Sequence, residues 1–338
     1  LHHRGGNADS RHSMIADRSV ASVIVLNWNG RHLLQESLPA LVAAVEHAGG
    51  GHEVIVVDDG SADGSAEYVA REFPKVQLVA LARNLGFGRA ANHGVAAARN
   101  DIVALLNNDM IVEPEFLPPL LEHFRSPEVF AVASMIRMPP KVADGQTVKE
   151  TGLTRGAFAG GFVRIWQEQR PAQRATPVFY AGGGSSAYDR RKFLALGGFD
   201  RLYHPFYYED VDLSYVALKR GWRILMEPRS LVTHKHRGTI NARNFRPSYI
   251  RTAVLKNELL FHWKNLTDAP LVARHLAAVY VRLAAGGEAL FPRAFVWALR
   301  QLPQVLARRA AGRAHARLTD AAVVSASSSP HGATPCRD

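Results

Sequence analysis

The chain predicts an α/β fold: a largely parallel sheet with helices on both faces. Three observations lead there. Short, continuously apolar runs alternate with helix-like stretches through the first hundred residues, the pattern of strands buried on both faces. Nearly every run ends in a polar cluster, and in open α/β sheets ligands bind beyond the carboxyl ends of the strands. Finally, 338 residues that are 47% hydrophobic and 21% charged can bury a sizeable core, at a length too great for one average domain.

Element by element, Ser22-Val-Ile-Val-Leu26 predicts the first strand. It stops at the turn Asn27-Trp28-Asn29-Gly30, and a helix is expected from Arg31 to His47. Glu53-Val-Ile-Val-Val57 predicts the second strand, which runs into Asp58-Asp59-Gly60-Ser61, with a helix over Ser65–Phe73 capped by Asp63. Val76–Leu81 and Ile102–Leu106 predict further strands, separated by the Ala-rich helix Arg89–Arg99. Residues Pro139–Pro177 are rich in Gly, Thr, Arg and Gln and only weakly periodic, which predicts a lid or binding loop. After the Gly182-Gly183-Gly184 turn come a short helix ending at Gly197-Gly198 and an aromatic cluster from Phe199 to Tyr208. A helix over Glu209–Arg220 and strands at Trp222–Met226 and Ser230–His234 complete this part of the chain. Beyond Arg246 the pattern is helical and basic. Between Leu271 and Leu318 there are eight arginines and one acid, Glu288; Arg274, His275 and Arg282 can share one helical face, with Leu276, Val279 and Leu283 on another.

Composition removes several classes of function. The single cysteine, Cys336, excludes a disulfide framework and a cysteine-zinc site. No stretch of eighteen apolar residues occurs, so a membrane-spanning helix is not expected. The net charge of +11 calls for an anionic partner: phosphorylated small molecules, an acidic lipid surface or nucleic acid. Nucleic acid is disfavoured because no binding module accompanies the charge.

Several clusters could carry chemistry. Asn107-Asn108-Asp109 directly follows an apolar strand and offers oxygen ligands for Mg²⁺ or Mn²⁺ on a diphosphate; taken alone it reads better as a strand-ending turn. Asp58 or Asp59 could accept hydrogen bonds from a nucleobase or ribose. Arg83-Asn84-Leu85-Gly86-Phe87-Gly88 invites a dinucleotide reading, but the glycine pair follows the third strand instead of the first, which argues against a hydride-transfer enzyme. Glu209-Asp210-Val211-Asp212 opens a helix. Acids there favour the helix dipole, and one of them could equally take a proton from an attacking hydroxyl. His234-Lys235-His236 could supply an imidazole to a metal or stand solvated in a basic loop. Zinc is disfavoured for lack of a third nitrogen or sulfur ligand at suitable spacing.

In this order, the set resembles glycosyltransferase family 2, particularly its bacterial rhamnosyltransferase-like members. The matching segments are Ser22–Gly30, Val54–Ser61, Arg83–Gly86, Leu105–Asp109, Gly197–Asp200, Tyr208–Leu213, Gly221-Trp222 and Val232–His234. The resemblance spans roughly residues 20 to 240. It implies the GT-A fold, a Rossmann-like mixed sheet, and an inverting transfer of sugar from a nucleoside diphosphate, dTDP- or UDP-linked and rhamnose among the candidates, to a hydroxyl of a cell-surface glycan or lipid-linked acceptor. It also implies roles. Asn27, Trp28, Asp58, Asp59, Arg83, Asn84 and Asn108 fall at the nucleotide; Asp109, Asn107 and His234 at a divalent cation, Mg²⁺ or Mn²⁺; Asp210 at the catalytic base with Glu209 as its partner; and Tyr207, Tyr208, Gly183 and Trp166 at the acceptor. Two positions depart from the family pattern. Asn107 replaces the first carboxylate of the metal motif, removing one charge, and Val216 stands where many relatives carry Arg.

The expected organisation follows: a disordered leader over 1–18 and a catalytic domain over 19–245, divided into a nucleotide-binding half (19–110) and an acceptor-binding half (111–245). A basic amphipathic helical extension over 246–317 and a disordered tail over 318–338 complete it. The extension suits a peripheral contact with an anionic membrane, on the cytoplasmic face of the plasma membrane, or docking on the catalytic domain or a second subunit. Rival readings are a polyprenyl-phosphate sugar transferase and a non-catalytic nucleotide-sugar binder.

Overall fold

The computed structural model describes residues 18–138, 149–170, 172–235, 244–286 and 288–327. β1 (Ala21–Asn27) is buried along its whole length, as befits a central strand covered on both faces. α1 (Arg31–His47) lays Leu34, Leu38 and Leu41 against the sheet; burying such side chains contributes about 1.5–3 kcal/mol each. β2 (Glu53–Asp58), α2 (Ser65–Glu72), β3 (Gln77–Ala80), α3 (Phe87–Ala97) and β4 (Ile102–Asn107) follow in the expected order. The cap of α2 is Gly64, at φ 78°, and not the expected Asp63, which lies one residue earlier with its Oδ1 accepting the Ser65 N–H at 3.1 Å. α3 comes close to the sheet because it carries Gly94: a Cβ there would stand 2.6 Å from Ile24 Cγ2 and 2.8 Å from Val57 Cγ2.

β5 (Met110–Val112), α4 (Leu117–Glu122), β6 (Val129–Met138), β7 (Lys149–Thr151), β8 (Leu153–Ala159), β9 (Phe162–Glu168), β10 (Thr176–Pro177), β11 (Ser185–Asp189), α5 (Arg190–Ala195), α6 (Glu209–Lys219) and β12 (Arg223–His234) come next. The large sheet runs in the order β10-β12-β6-β11-β4-β1-β2-β3, with β5 on β12 and β7 on β6. β1 is parallel to β2 and β4, whereas β11 is antiparallel to β4 and β6. The sheet is therefore mixed. The two strands expected at Trp222–Met226 and Ser230–His234 are one, β12, with a register shift between Glu227 and Leu231 where it follows β6.

The weakly periodic middle segment is more ordered than expected. Its residues 139–148 and 171 lie outside the described set, but β8 and β9 pair as a hairpin from Leu153↔Glu168 to Ala159↔Phe162. Gly160 and Gly161 close it at φ 59° and 82°, angles only glycine adopts without cost. The periodicity is obscured because buried arginine stands where an apolar residue would mark the inner face: Arg155 is 8% exposed and pairs with Glu168 at 3.2 Å.

The extension consists of α7 (Pro247–Asn265), α8 (Ala269–Ala284), α9 (Phe291–Leu299), α10 (Leu302–Arg313) and α11 (Asp320–Ser327). It shares one hydrophobic cluster with the catalytic body: Leu255, Leu259 and Phe261 of α7 pack with Phe179, Val211 and Tyr215. Two expectations are corrected here. The tail expected to be disordered from 318 is helical over Asp320–Ser327; Asp320, fully buried, ties it down, its Oδ1 accepting Lys219 Nζ at 2.7 Å and Tyr215 Oη at 2.8 Å. On α8 the inward face carries His275 and Val279, while Leu276 points out at 57% exposure. His275 goes inward because its Nδ1 meets the Gly161 carbonyl at the hairpin turn, at 2.9 Å.

Candidate active site

Register brings three predicted residues to one edge of the sheet. Asn27 stands opposite Asp58, and Leu26 opposite Asn107, so β1, β2 and β4 all deliver their polar ends together. Asn27 Nδ2 donates to Asp58 Oδ2 at 2.9 Å, and Asn108 Nδ2 donates to Asn27 Oδ1 at 2.7 Å. Asp58 Oδ1 also accepts the Ser61 N–H at 2.9 Å. Asp59 is engaged too: its two oxygens accept the N–H groups of Leu85 and Gly86 at 2.7 and 2.9 Å. Burial raises its pKa, partly offset by those two N–H donors. The Asp59 carboxylate thus holds the Arg83–Gly86 loop against the strand ends. Arg83 and Asn84 themselves project as exposed side chains. Trp28 is half-buried, 6.5 Å ring to ring from Phe245.

Across the sheet, β5 pairs antiparallel with the end of β12, Met110 opposite His234. That pairing brings Asp109 and His234 together across 125 residues, Nε2 to Oδ2 at 3.1 Å. The Asp109 side chain is 1% exposed and that of His234 22%. Among the described residues there is no cluster of three or more His, Cys, Asp and Glu suited to a metal. The chain therefore offers one carboxylate and one imidazole, with the Asn107 amide two residues before Asp109. Such a sparse oxygen and nitrogen set fits Mg²⁺ or Mn²⁺, which keep water or substrate phosphate in their remaining positions. It does not fit a closed zinc site.

Asp210, in the first turn of α6, accepts the Gly183 N–H at Oδ2, 3.2 Å away. The next residue, Gly184, gives its carbonyl to the Asn107 N–H at 3.0 Å. A Cβ on Gly184 would lie 2.4 Å from Asn107 Nδ2, and one on Gly183 2.9 Å from the Phe87 ring. Two glycines are therefore needed for the β11 approach to pass between the helix start and the end of β4. Burial raises the Asp210 pKa, and burial with the adjacent Asp210 charge raises that of Glu209. A base held above the ordinary carboxylate range binds its proton more readily.

The structure separates the predicted acceptor residues. Gly183 is at Asp210. Tyr207 is 43% exposed, whereas Tyr208 packs on Phe261 at 5.7 Å. Trp166 pairs with Arg155 across the hairpin and points to the opposite face of β9 from Gln167. It is Gln167 that reaches toward the site, Nε2 donating to Tyr180 Oη at 3.3 Å. Burial and the nearby Asp210 charge push the Tyr180 hydroxyl up to about 12. Tyr180 has no charged motif around it, only the apolar run Val178–Ala181 before the glycine turn.

Other site residues escaped sequence reasoning because they lie on α7. Tyr207 and Tyr208 take φ of 70° and 79°, a left-handed conformation that costs a non-glycine residue about 1–2 kcal/mol. Asn257, fully buried, holds the loop in place through Nδ2, which lies within hydrogen-bond distance of the carbonyls of Tyr203, Phe206 and Tyr207 at 2.8, 2.9 and 2.9 Å. Lys256 Nζ donates to the His204 carbonyl at 2.7 Å, and burial brings its pKa down to about 8. Lys264 Nζ reaches Asp212 at 2.6 Å and Asp200 at 2.9 Å. The extension clamps the loop and helix that present Asp210.

This mixed sheet, with its polar strand ends facing a helix-borne acid, is the GT-A fold of glycosyltransferases. A solved structure described as GalNAc-T7 with UDP, GalNAc and Mn²⁺ shares it at a TM-score of 0.56 and 18% identity, covering 74% of this chain and 48% of that one. The chain belongs to glycosyltransferase family 2: residues 22–197 match the model of "Glycosyl transferase family 2". Among its curated relatives is an N-acetylglucosaminyl-diphospho-decaprenol L-rhamnosyltransferase of Mycobacterium tuberculosis, 27% identical over 64% of this chain and 76% of that protein. A pre-mycofactocin glycosyltransferase of the same organism is 31% identical over 55% of this chain and 38% of its own length. The protein is a glycosyltransferase enzyme.

Proposed function

We propose that the protein transfers a sugar, rhamnose being the first candidate, from a dTDP- or UDP-linked donor to a hydroxyl of a lipid-linked glycan acceptor, with inversion. The observation that carries this is the connection through Gly183 and Gly184, which sets the Asp210 carboxylate beside the strand end that leads to Asp109 and His234. Asp210 takes the proton from the acceptor hydroxyl as its oxygen bonds to the anomeric carbon, and the bond from that carbon to the diphosphate oxygen breaks. Asp109 and His234, with Asn107, would hold a divalent cation, which when bound neutralises charge on the departing diphosphate. Glu209 stays protonated more readily than an ordinary glutamate and so adds less negative charge beside the base. The named relative acts on a decaprenol-linked substrate and transfers L-rhamnose, which supports this donor and acceptor class.

The test is a thermal-shift screen of UDP-, dTDP- and GDP-sugars with and without Mn²⁺, followed by transfer to a polyprenyl-diphosphate-sugar acceptor. A dTDP- or UDP-sugar should stabilise the protein in a Mn²⁺-dependent way and yield a glycosidic product. A sugar-phosphate-lipid product would show instead a polyprenyl-phosphate transferase, and donor binding without any transfer a nucleotide-sugar binder.

A further inference from the structure

We infer that the outward face of the helical extension, centred on α8, is a docking surface for an anionic lipid bilayer. Ten large apolar side chains stand exposed among the described residues, and seven of them fall between Leu276 and Leu318. On α8, Leu276, Tyr280 and Val281 are 57%, 73% and 61% exposed. Small residues extend the stripe, since Ala273, Ala277 and Ala284 are exposed as well. These positions recur at three- and four-residue steps, so they lie along one side of the helix. The opposite side, His275 and Val279, is the one buried against the protein. Val296 and Leu299 of α9 and Leu306 of α10 stand out at 49%, 41% and 54%. A folded protein seldom leaves so many large apolar groups in water over so short a stretch without a partner.

Charge identifies the occupant. From Leu271 to Leu318 the sequence has eight arginines and one acid, Glu288. That acid is already neutralised: it pairs with Arg251 at 2.8 Å and with Arg282. Arg274, Arg293 and Arg300 are exposed among the apolar groups. A second copy of the chain would bring the same arginines face to face across a symmetric interface, with no carboxylate to meet them. An anionic bilayer supplies the opposite charge at its surface and an apolar layer beneath, which exposed Leu, Val and Tyr can enter. Among the described residues no helix is long and apolar enough to cross a membrane, so the contact lies in the plane of the interface.

The surface is joined to the catalytic side. Gly161, at the tip of the β8–β9 hairpin, sits so close to α8 that a Cβ there would be 2.3 Å from Ala278 Cβ. The same hairpin carries Gln167, the hydrogen-bond partner of Tyr180. A lipid-borne acceptor would thus meet an enzyme already held at its membrane; this last link rests on the proposed reaction, whereas the vesicle binding does not.

The test is co-sedimentation of the full chain with phosphatidylglycerol/phosphatidylcholine vesicles and with phosphatidylcholine vesicles alone. Wild type should sediment with the anionic vesicles, less so as salt is raised, and remain in solution with the neutral ones. The double variant Leu276→Glu/Tyr280→Glu should bind anionic vesicles at least tenfold more weakly at unchanged melting temperature. Arg274→Gln/Arg293→Gln/Arg300→Gln should lose most of the salt-sensitive part of binding. Absence of wild-type binding to anionic vesicles, or equal binding by the glutamate variant, would overturn the proposal. So would a wild-type dimer that Tyr280→Glu converts to monomer while no vesicles are bound. Donor-induced thermal stabilisation, measured in parallel without lipid, separates this outcome from failure of the transferase reading.

Discussion

Gly183 donates its backbone N–H to the Asp210 carboxylate at 3.2 Å, and the carbonyl of the very next residue accepts the Asn107 N–H at 3.0 Å. A single peptide step therefore couples the acid of α6 to the strand end that leads to Asp109. Neither glycine tolerates a side chain easily, because each would meet an occupied position within 3 Å.

Replacing Asp210 by Asn should preserve donor binding and reduce turnover by about 10²–10⁴-fold, the usual contribution of a positioned base. Isothermal titration with the nucleotide sugar and a transfer assay check the two halves. Equal turnover would reject Asp210 as the base.

The pH profile should carry the same signature. A base must be unprotonated to work, and burial holds the Asp210 carboxyl above its ordinary value. Activity should therefore fall on acidification at a higher pH than a solvent-exposed aspartate would give, with the Glu209–Asp210 pair titrating together. The log of kcat/KM against pH would show it.

Asp109→Ala or His234→Ala should remove the Mn²⁺-dependent part of donor stabilisation while leaving the protein folded. The informative comparison is the melting temperature with nucleotide sugar, with and without Mn²⁺. A metal-dependent shift that survives both substitutions would place the cation elsewhere.

Asn257→Ala should lower kcat well below wild type with a smaller change in donor affinity, because the loop of Tyr207 and Tyr208 loses the amide that meets three of its carbonyls. Leaving buried polar groups unpaired costs about 1–3 kcal/mol, read as a lower melting temperature. Steady-state kinetics separates the catalytic effect from the structural one.

Asp320→Ala should destabilise the fold by about 3–5 kcal/mol, the cost of breaking a buried ion pair, since Lys219 loses its carboxylate. Despite the opposing effect of burial, hydrogen bonds from Lys219, Thr267 and Asp268 hold the Asp320 pKa below the ordinary carboxylate value. Its contribution is complete above that ordinary value and fades as pH falls through the lowered one. Denaturant melts of wild type and variant should converge at acid pH and diverge near neutrality.

What the sequence determined by itself was the layered α/β body, the order of its strands and helices through Ile102, and the polar ends where chemistry gathers. Those features are local: apolar runs of strand length, glycines in turns, and acids at a helix start are written in contiguous residues. The resemblance carried by eight short motifs named the residues that the tertiary structure then brings together as neighbours, Asn27 with Asp58 and Asp109 with His234. What only the tertiary structure decided is how α7 to α11 close on that body. Asn257, Lys256, Lys264 and Asp320 look in sequence like ordinary polar residues of solvated helices. They act as clamps because the helices dock, and docking is set by the summed shape of a shared core that no local pattern records. For the same reason the hairpin read as a loop and the helix read as tail were missed: paired arginines and a buried aspartate stand where apolar residues would have announced an inner face.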